Sequence, residues 1–492
     1  MNCRRATVSA SPDESALEPG SQDEIIAPDD TGTSPAADGP DGPALPHPDD
    51  SAPGPTRADR PVDRLTRPLR EFLHLESAGG MVLVLATITS LIVANTSAGP
   101  DVRDFWGTKL TLLAVGDLKL EESLEHWVND GLMAIFFFVV ALEIKRELVV
   151  GRLRDRRAAF LPAMAALGGS AVPAALFLAF TVGRGGAGGW GIPMATDIAF
   201  ALGVMALLGP RIPGGLKVFL LTLAIVDDIL AIMVIALFYS ESLSAYWLLL
   251  GAVLLLIIAG MNRAGVRYVP LYVVAGAGVW LAFLESGVHA TIAGVILGLM
   301  TPARPLLVKG TSGTPDSAIS SDTVRGDLFE VRESVSVAER LEHLLHPWTA
   351  FVILPLFAFV NAGIPLSGGV VGDAASSPLT LGIVVGLLVG KPVGIVLATW
   401  VVTATGAAPL PAGTSWRGVM GAGALAGIGF TVSLFVAGLA FDDSATVDRA
   451  KVGILAASFA AAVLGAVLLS SGAHRPAPAA GPGSPARAPE PR

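Results

Sequence analysis

Uninterrupted apolar stretches recur from Gly79 to Ser470, each about 20 residues long, the length that spans a hydrocarbon core. Twelve can be counted, centred near Ala86, Phe137, Val172, Ala199, Asp227, Leu254, Gly278, Val295, Leu354, Gly390, Phe430 and Ala461. The seventh and eighth nearly fuse, so eleven stays open. Membrane β-barrels alternate apolar and polar residues. These runs are continuous, so the expected fold is an all-α polytopic membrane protein with about 12 transmembrane helices. A soluble enzyme is excluded.

Charge is distributed unevenly along the 492 residues. The formal net charge is −9, yet residues 1–60 hold 12 Asp/Glu against four Arg. The rest of the chain is nearly neutral, which excludes a basic nucleic-acid binder. Eleven Pro and no long apolar run mark residues 1–65 as a disordered acidic tail. Residues 472–492 read as a second, Pro/Ala-rich tail. Residues 302–338 read as a polar loop inside the transmembrane domain, 66–471. The single cysteine, Cys3, leaves no disulfide framework and no cysteine metal site.

Lys and Arg set the orientation. With the N-terminus inside, 26 of the 33 basic residues fall in the tails and inward loops. Both termini are therefore expected to be cytoplasmic. Between the first two spans, residues 100–120 contain KLTLLAVGDLKL, with a Gly-Asp turn between β-prone runs. An external hairpin and an irregular loop are both compatible with it.

Ionisable groups at membrane depth are costly and therefore functional candidates. Asp197 lies in the fourth span, Asp227 and Asp228 sit side by side in the fifth, and Lys391 is central in the tenth. Asp130 opens the second span and His289 the eighth. Two adjacent carboxylates at depth titrate as a coupled unit. They also offer hard oxygens to a small cation, so protons and a metal ion would compete for one site. The bland alternative is a buried ion-pair network, which three Asp against one Lys suits poorly.

The fourth span is preceded by GGWGIP, and the eleventh contains GAGALAGIGFTVS. Gly-interrupted spans in corresponding halves mark the site of transporters built from inverted repeats. Close helix packing also explains the glycines of the eleventh. If both are discontinuous crossing helices, Asp197 offsets the positive N-terminal ends and Lys391 the negative C-terminal ends. A charged cluster, Glu143, Arg146 and Glu147 with Glu342, His343 and His346, is expected at the cytoplasmic face. It reads either as a pH sensor or as an ordinary interfacial belt.

The motifs NDGLMAIFFFVVALEIKREL, ATDIAFALGVMALLG, FLLTLAIVDD, SGVHATIAGV, RLEHLLHPW, LPLFAFVNAG, LLVGKPVGI and AGIGFTVSLFVA resemble the NhaA-type sodium/proton antiporter family from about Phe72 to Leu469. That resemblance implies electrogenic exchange of Na+ (or Li+) for protons, regulated by pH, at a bacterial inner membrane and without a cofactor. It implies that Asp227 and Asp228 exchange cation and protons, with Asp228 the stronger cation candidate. Lys391 would pair with Asp227 or with broken-helix carbonyls, and Thr196 and Asp197 would lie in the extended crossing. Asp130 would belong to the external pathway. Glu143, Arg146, Glu147, Glu342, His343 and His346 would sense internal pH, and His289 matches a pH-linked histidine. The 100–120 hairpin would be a homodimer contact. Leu230 departs from the family by standing where Gly is frequent.

Two other functions compete. A proton-coupled carrier of another small solute would need a larger polar or aromatic cavity. An intramembrane aspartyl protease would need two Asp on separate helices, whereas these are adjacent.

Overall fold

The computed structural model describes residues 76–115, 118–209, 212–240, 243–266, 268–303, 336–366 and 368–471. Both tails and nearly all of the 302–338 loop lie outside the described residues. The described part belongs to the unit Pro61–Arg492.

Its helices are α1 (Glu76–Ala94), α2 (Gly99–Gly107), α3 (Met133–Val149), α4 (Arg156–Thr181), α5 (Ile198–Leu207), α6 (Gly214–Phe238), α7 (Ala245–Arg263), α8 (Val269–Leu284), α9 (Thr291–Met300), α10 (Val337–Trp348), α11 (Leu354–Asn361), α12 (Gly368–Ser376), α13 (Pro378–Val385), α14 (Lys391–Ala404), α15 (Trp416–Ala426), α16 (Phe430–Ala440) and α17 (Ser444–Ser471). Wide π turns at Trp127–Leu132, Thr349–Ile353 and Gly386–Gly390 lead into α3, α11 and α14. Seven helical stretches among the described residues are long and apolar enough to cross a membrane, and nine if two bent pairs each count as one span. The stretches sequence centred at Gly278 and Val295 fall on the shorter apolar helices α8 and α9.

The first two apolar spans are joined by more than a hairpin. α1 turns by 111° into α2. Strand β1 (Lys109–Val115) then pairs antiparallel with β2 (Leu118–Ser123). The first part of the 100–120 segment is thus helical, and the pairing runs past residue 120. Pro100, at the N-terminal end of α2, fits the fixed φ that a first helical turn requires.

Small residues bring the helices into backbone contact, the packing that apolar surroundings favour. Gly168 of α4 and Gly394 of α14 face each other so closely that a Cβ on either would strike the other's carbonyl. Because backbone cannot swing aside, Gly394→Ala is expected to cost about 2–3 kcal/mol, the upper range for overpacking. Thermal unfolding in detergent reads this as a lowered midpoint. Phe137 of α3 packs on Phe435 of α16, which also meets Phe357 of α11, with ring centroids 5.5 and 6.4 Å apart.

Candidate functional site

Pro and Gly break the fourth apolar span. A 3-10 turn, Ala187–Met194, contains Pro193, which has no N–H to continue a helix. Ala195 to Asp197 are then extended, and α5 begins at Ile198. The eleventh span breaks between α15 and α16, with a 45° bend across Gly427–Gly429. Glycine is required there: a Cβ on Gly427 would meet Leu387 O at 2.5 Å, and one on Gly429 would strike Ser433 Oγ.

The two breaks lie against each other and satisfy each other's polar groups. Asp197 N–H donates to Ile428 O at 2.6 Å. Thr196 Oγ1 reaches Ala426 O at 3.0 Å, and Ser433 Oγ donates to Ile192 O at 2.7 Å. Asp197 caps both half-helices at once. Its Oδ1 accepts from Phe200 N at 3.0 Å in α5. Its Oδ2 accepts from Thr431 N at 3.1 Å and Thr431 Oγ1 at 2.6 Å in α16. One carboxylate therefore meets two positive helix ends.

Lys391 takes the opposite pole. It is 0% exposed, and its ammonium donates to Met194 O, the last carbonyl of the broken first half of the fourth span. It also pairs with Asp227 Oδ2 at 2.6 Å. The two alternatives left open for Lys391, an Asp227 pair or a broken-helix carbonyl, are thus both realised.

The adjacent aspartates of α6 differ sharply. Asp227 is 1% exposed, and protein donors occupy both its oxygens. Ser170 donates to Oδ1 at 2.8 Å, and Thr196 and Lys391 reach Oδ2 at 2.6 Å each. Asp228 is 7% exposed, and no hydrogen bond to it is found among the described residues. Its oxygens are the ones available to a ligand. Glu143 is partly buried on α3.

One turn further along α3, Arg146 pairs with Glu342 of α10 at 2.8 Å and approaches Glu147 at 3.9 Å. Glu342 Oε2 is buried without a hydrogen-bond partner among the described residues. Glu147 accepts from Arg152 N at 2.9 Å. His343 and His346 are exposed on the same helix. The structure thus joins Arg146, Glu147 and Glu342, with Glu143 one turn earlier on α3 and the two histidines exposed on α10. His289 lies elsewhere: its ring meets Tyr239 O at 2.5 Å.

Asp130 pairs with His126 at 2.9 Å, with Glu122 3.9 Å from the same ring. The Asp130 hydrogen bond holds the His126 imidazolium above its ordinary value, against a smaller opposing effect of burial. The stabilisation is therefore present below about pH 6.5 and is lost as pH rises through the raised folded value. His126 is 43% exposed, so solvent screening limits the gain to about 1 kcal/mol or less. Thermal unfolding of His126→Gln should match the parent at pH 9 and fall below it at pH 6.

Sequence reasoning missed Ser170 and Thr431. Both are isolated hydroxyls in small-residue contexts, where nothing in the local pattern separates a ligand from packing.

Fold and site together define a polytopic membrane protein with buried ionisable side chains, Asp197, Asp227, Asp228 and Lys391, in its apolar interior. The family model described as Na+/H+ antiporter 1 matches residues 70–469. The Na(+)/H(+) antiporter NhaA of Rhodopirellula baltica is 48% identical over 424 residues, covering 83% of this chain and 95% of that relative. The antiporter of the same name from Rhizobium meliloti is 46% identical over 425 residues, covering 83% and 96%. NhaA 2 of Acidiphilium cryptum is 45% identical over 423 residues, covering 83% and 93%. The chain belongs to the Na+/H+ antiporter 1 family.

Proposed function

We propose that the protein is a Na+(Li+)/H+ antiporter, a transporter and not an enzyme, working electrogenically and under pH control in a bacterial cytoplasmic (inner) membrane. The observation that carries this reading is the unequal acidic pair. Asp227 is fully engaged by Ser170, Thr196 and Lys391, while Asp228 offers its oxygens to a ligand.

In this reading Asp228 binds the transported cation, and protons compete with it there. Two carboxylates take up more protons than cations, so exchange moves net charge and draws on the membrane potential. Thr196, Asp197 and Lys391 complete the crossing around the pair. Asp130 lies on the external pathway. Glu143, Arg146, Glu147, Glu342, His343 and His346 form the cytoplasmic pH-sensing group. His289 adds a second pH-linked site at the end of α6. The reading includes twelve spans in inverted repeats, two discontinuous crossing helices, both termini inside, and a homodimer through the β1–β2 hairpin. The bilayer, Na+ and H+ are the partners, and no cofactor or nucleic acid enters.

The test is exchange in proteoliposomes loaded at low pH. Added Na+ or Li+ should release the proton gradient, and K+ should not. An imposed membrane potential should change the rate, and the rate should change across the range in which His titrates, about pH 5 to 8. A gradient that Na+ leaves intact at every pH sinks the proposal. A rate indifferent to potential removes only its electrogenic part.

A further inference from the structure

Ser170 belongs to α4 and was not among the expected site residues. It is 3% exposed, and its hydroxyl lies 2.8 Å from Asp227 Oδ1. A serine inside a helix ordinarily donates to the carbonyl four residues back. That acceptor is present too: Ala166 O is 3.0 Å from the same hydroxyl. One O–H carries one proton, so Ser170 serves one of the two acceptors at a time. The bond to Asp227 can therefore be released without leaving the hydroxyl unpaired.

The other partners of Asp227 leave Oδ1 to Ser170 alone. Thr196 and Lys391 both bind Oδ2. Without Ser170, Oδ1 would have no protein donor, and it would be one residue along α6 from the unpartnered Asp228. A carboxylate with a bare oxygen so placed is drawn to any cation that Asp228 holds.

Resting on the antiporter reading above, we infer that Ser170 is a positioning residue that sets cation affinity and selectivity. By holding Oδ1 it keeps Asp227 on Lys391 and leaves the cation a single carboxylate. A site with one carboxylate binds weakly enough to release its ion. A second anionic ligand would tighten the site and favour Li+, whose charge is the more concentrated.

Ser170→Ala in the full chain, reconstituted in proteoliposomes at one fixed alkaline pH, tests this. The apparent KM for Na+ should fall roughly tenfold, the worth of one hydrogen bond to a charged group. The KM for Li+ should fall further, and the maximal rate should drop because release slows. Ser170→Thr keeps the hydroxyl. Ser170 borders an apolar cavity of about 280 Å³ with Leu167, Met194 and Leu230. Ser170→Thr should restore the parental KM and the parental Na+/Li+ ratio.

A Ser170→Ala protein whose KM values and ion ratio stay within about twofold of the parent overturns the inference, since one lost charged hydrogen bond exceeds that. A raised KM also overturns it, because Ser170 would then be assisting the cation. If Ser170→Ala does not yield folded protein, Ser170→Cys, a weak donor, must lower the Na+ KM, and an unchanged KM refutes the idea. Parental protein that exchanges no Na+ for protons instead removes the antiporter reading itself.

Discussion

Asp228→Asn should abolish sodium-driven proton movement while leaving a folded, monodisperse protein. The residue is nearly isosteric with Asp, and the parent carboxylate makes no hydrogen bond among the described residues that the amide would break. What is lost is the charge. An amide offers a cation a neutral carbonyl and cannot carry a proton across the relevant pH range, so both halves of the exchange fail together. Removing one partner of a desolvated charge pair costs about 3–5 kcal/mol, which is at least a hundredfold in transport at fixed sodium. Proton release from proteoliposomes on Na+ addition measures it. Retention of a tenth of the parental rate would move the cation site away from Asp228, towards Asp227.

Asp227→Asn makes the informative contrast. It removes the partner of a fully buried Lys391 and disturbs Ser170 and Thr196 as well. Its phenotype therefore mixes stability with transport, whereas that of Asp228→Asn does not.

Much of this centre was legible in the sequence for a simple reason. Charged residues are so sparse within the apolar runs that Asp197, Asp227, Asp228 and Lys391 stand out without any alignment. Local backbone irregularity was legible too, because Pro193 and the glycines around 427–429 favour departures from regular helix, and the 3-10 turn Ala187–Met194 and the 45° bend lie there. The pairing within the site was not legible. Ser170 and Thr431 reach their carboxylates from positions 57 and 234 residues away along the chain, and a lone hydroxyl leaves no periodic trace. The π turn at Gly386–Gly390 immediately before Lys391 was equally hidden, since a turn one residue wider has no compositional mark. Local β-propensity allowed the hairpin that β1 and β2 form, but left it level with an irregular loop. It did not indicate that α2 precedes it, because Gly99–Gly107 is too short for apolar periodicity to show.

The crossing itself should depend on Asp197 more than on any other residue that does not bind the cation. Its two oxygens accept three hydrogen bonds, one from α5 and two from α16, and it is 2% exposed. Each helix start that loses such a cap is destabilised by about 1–2 kcal/mol, so Asp197→Ala is expected to cost about 2–4 kcal/mol. The loss is concentrated at one point, since both ends open into a buried space where water does not replace the carboxylate. Asp197→Asn keeps an oxygen acceptor for one helix and presents an amide N–H2 group to the other, so it should recover about half of the loss. Thermal unfolding in detergent, followed by intrinsic fluorescence, orders the three proteins: parent, then Asn, then Ala. An Ala variant as stable as the parent would mean that the interrupted segments are held by their backbone contacts, Asp197 N–H to Ile428 O foremost, and that the carboxylate is there for the ion alone. The expected order instead makes Asp197 the joint that ties the start of α5 to the start of α16.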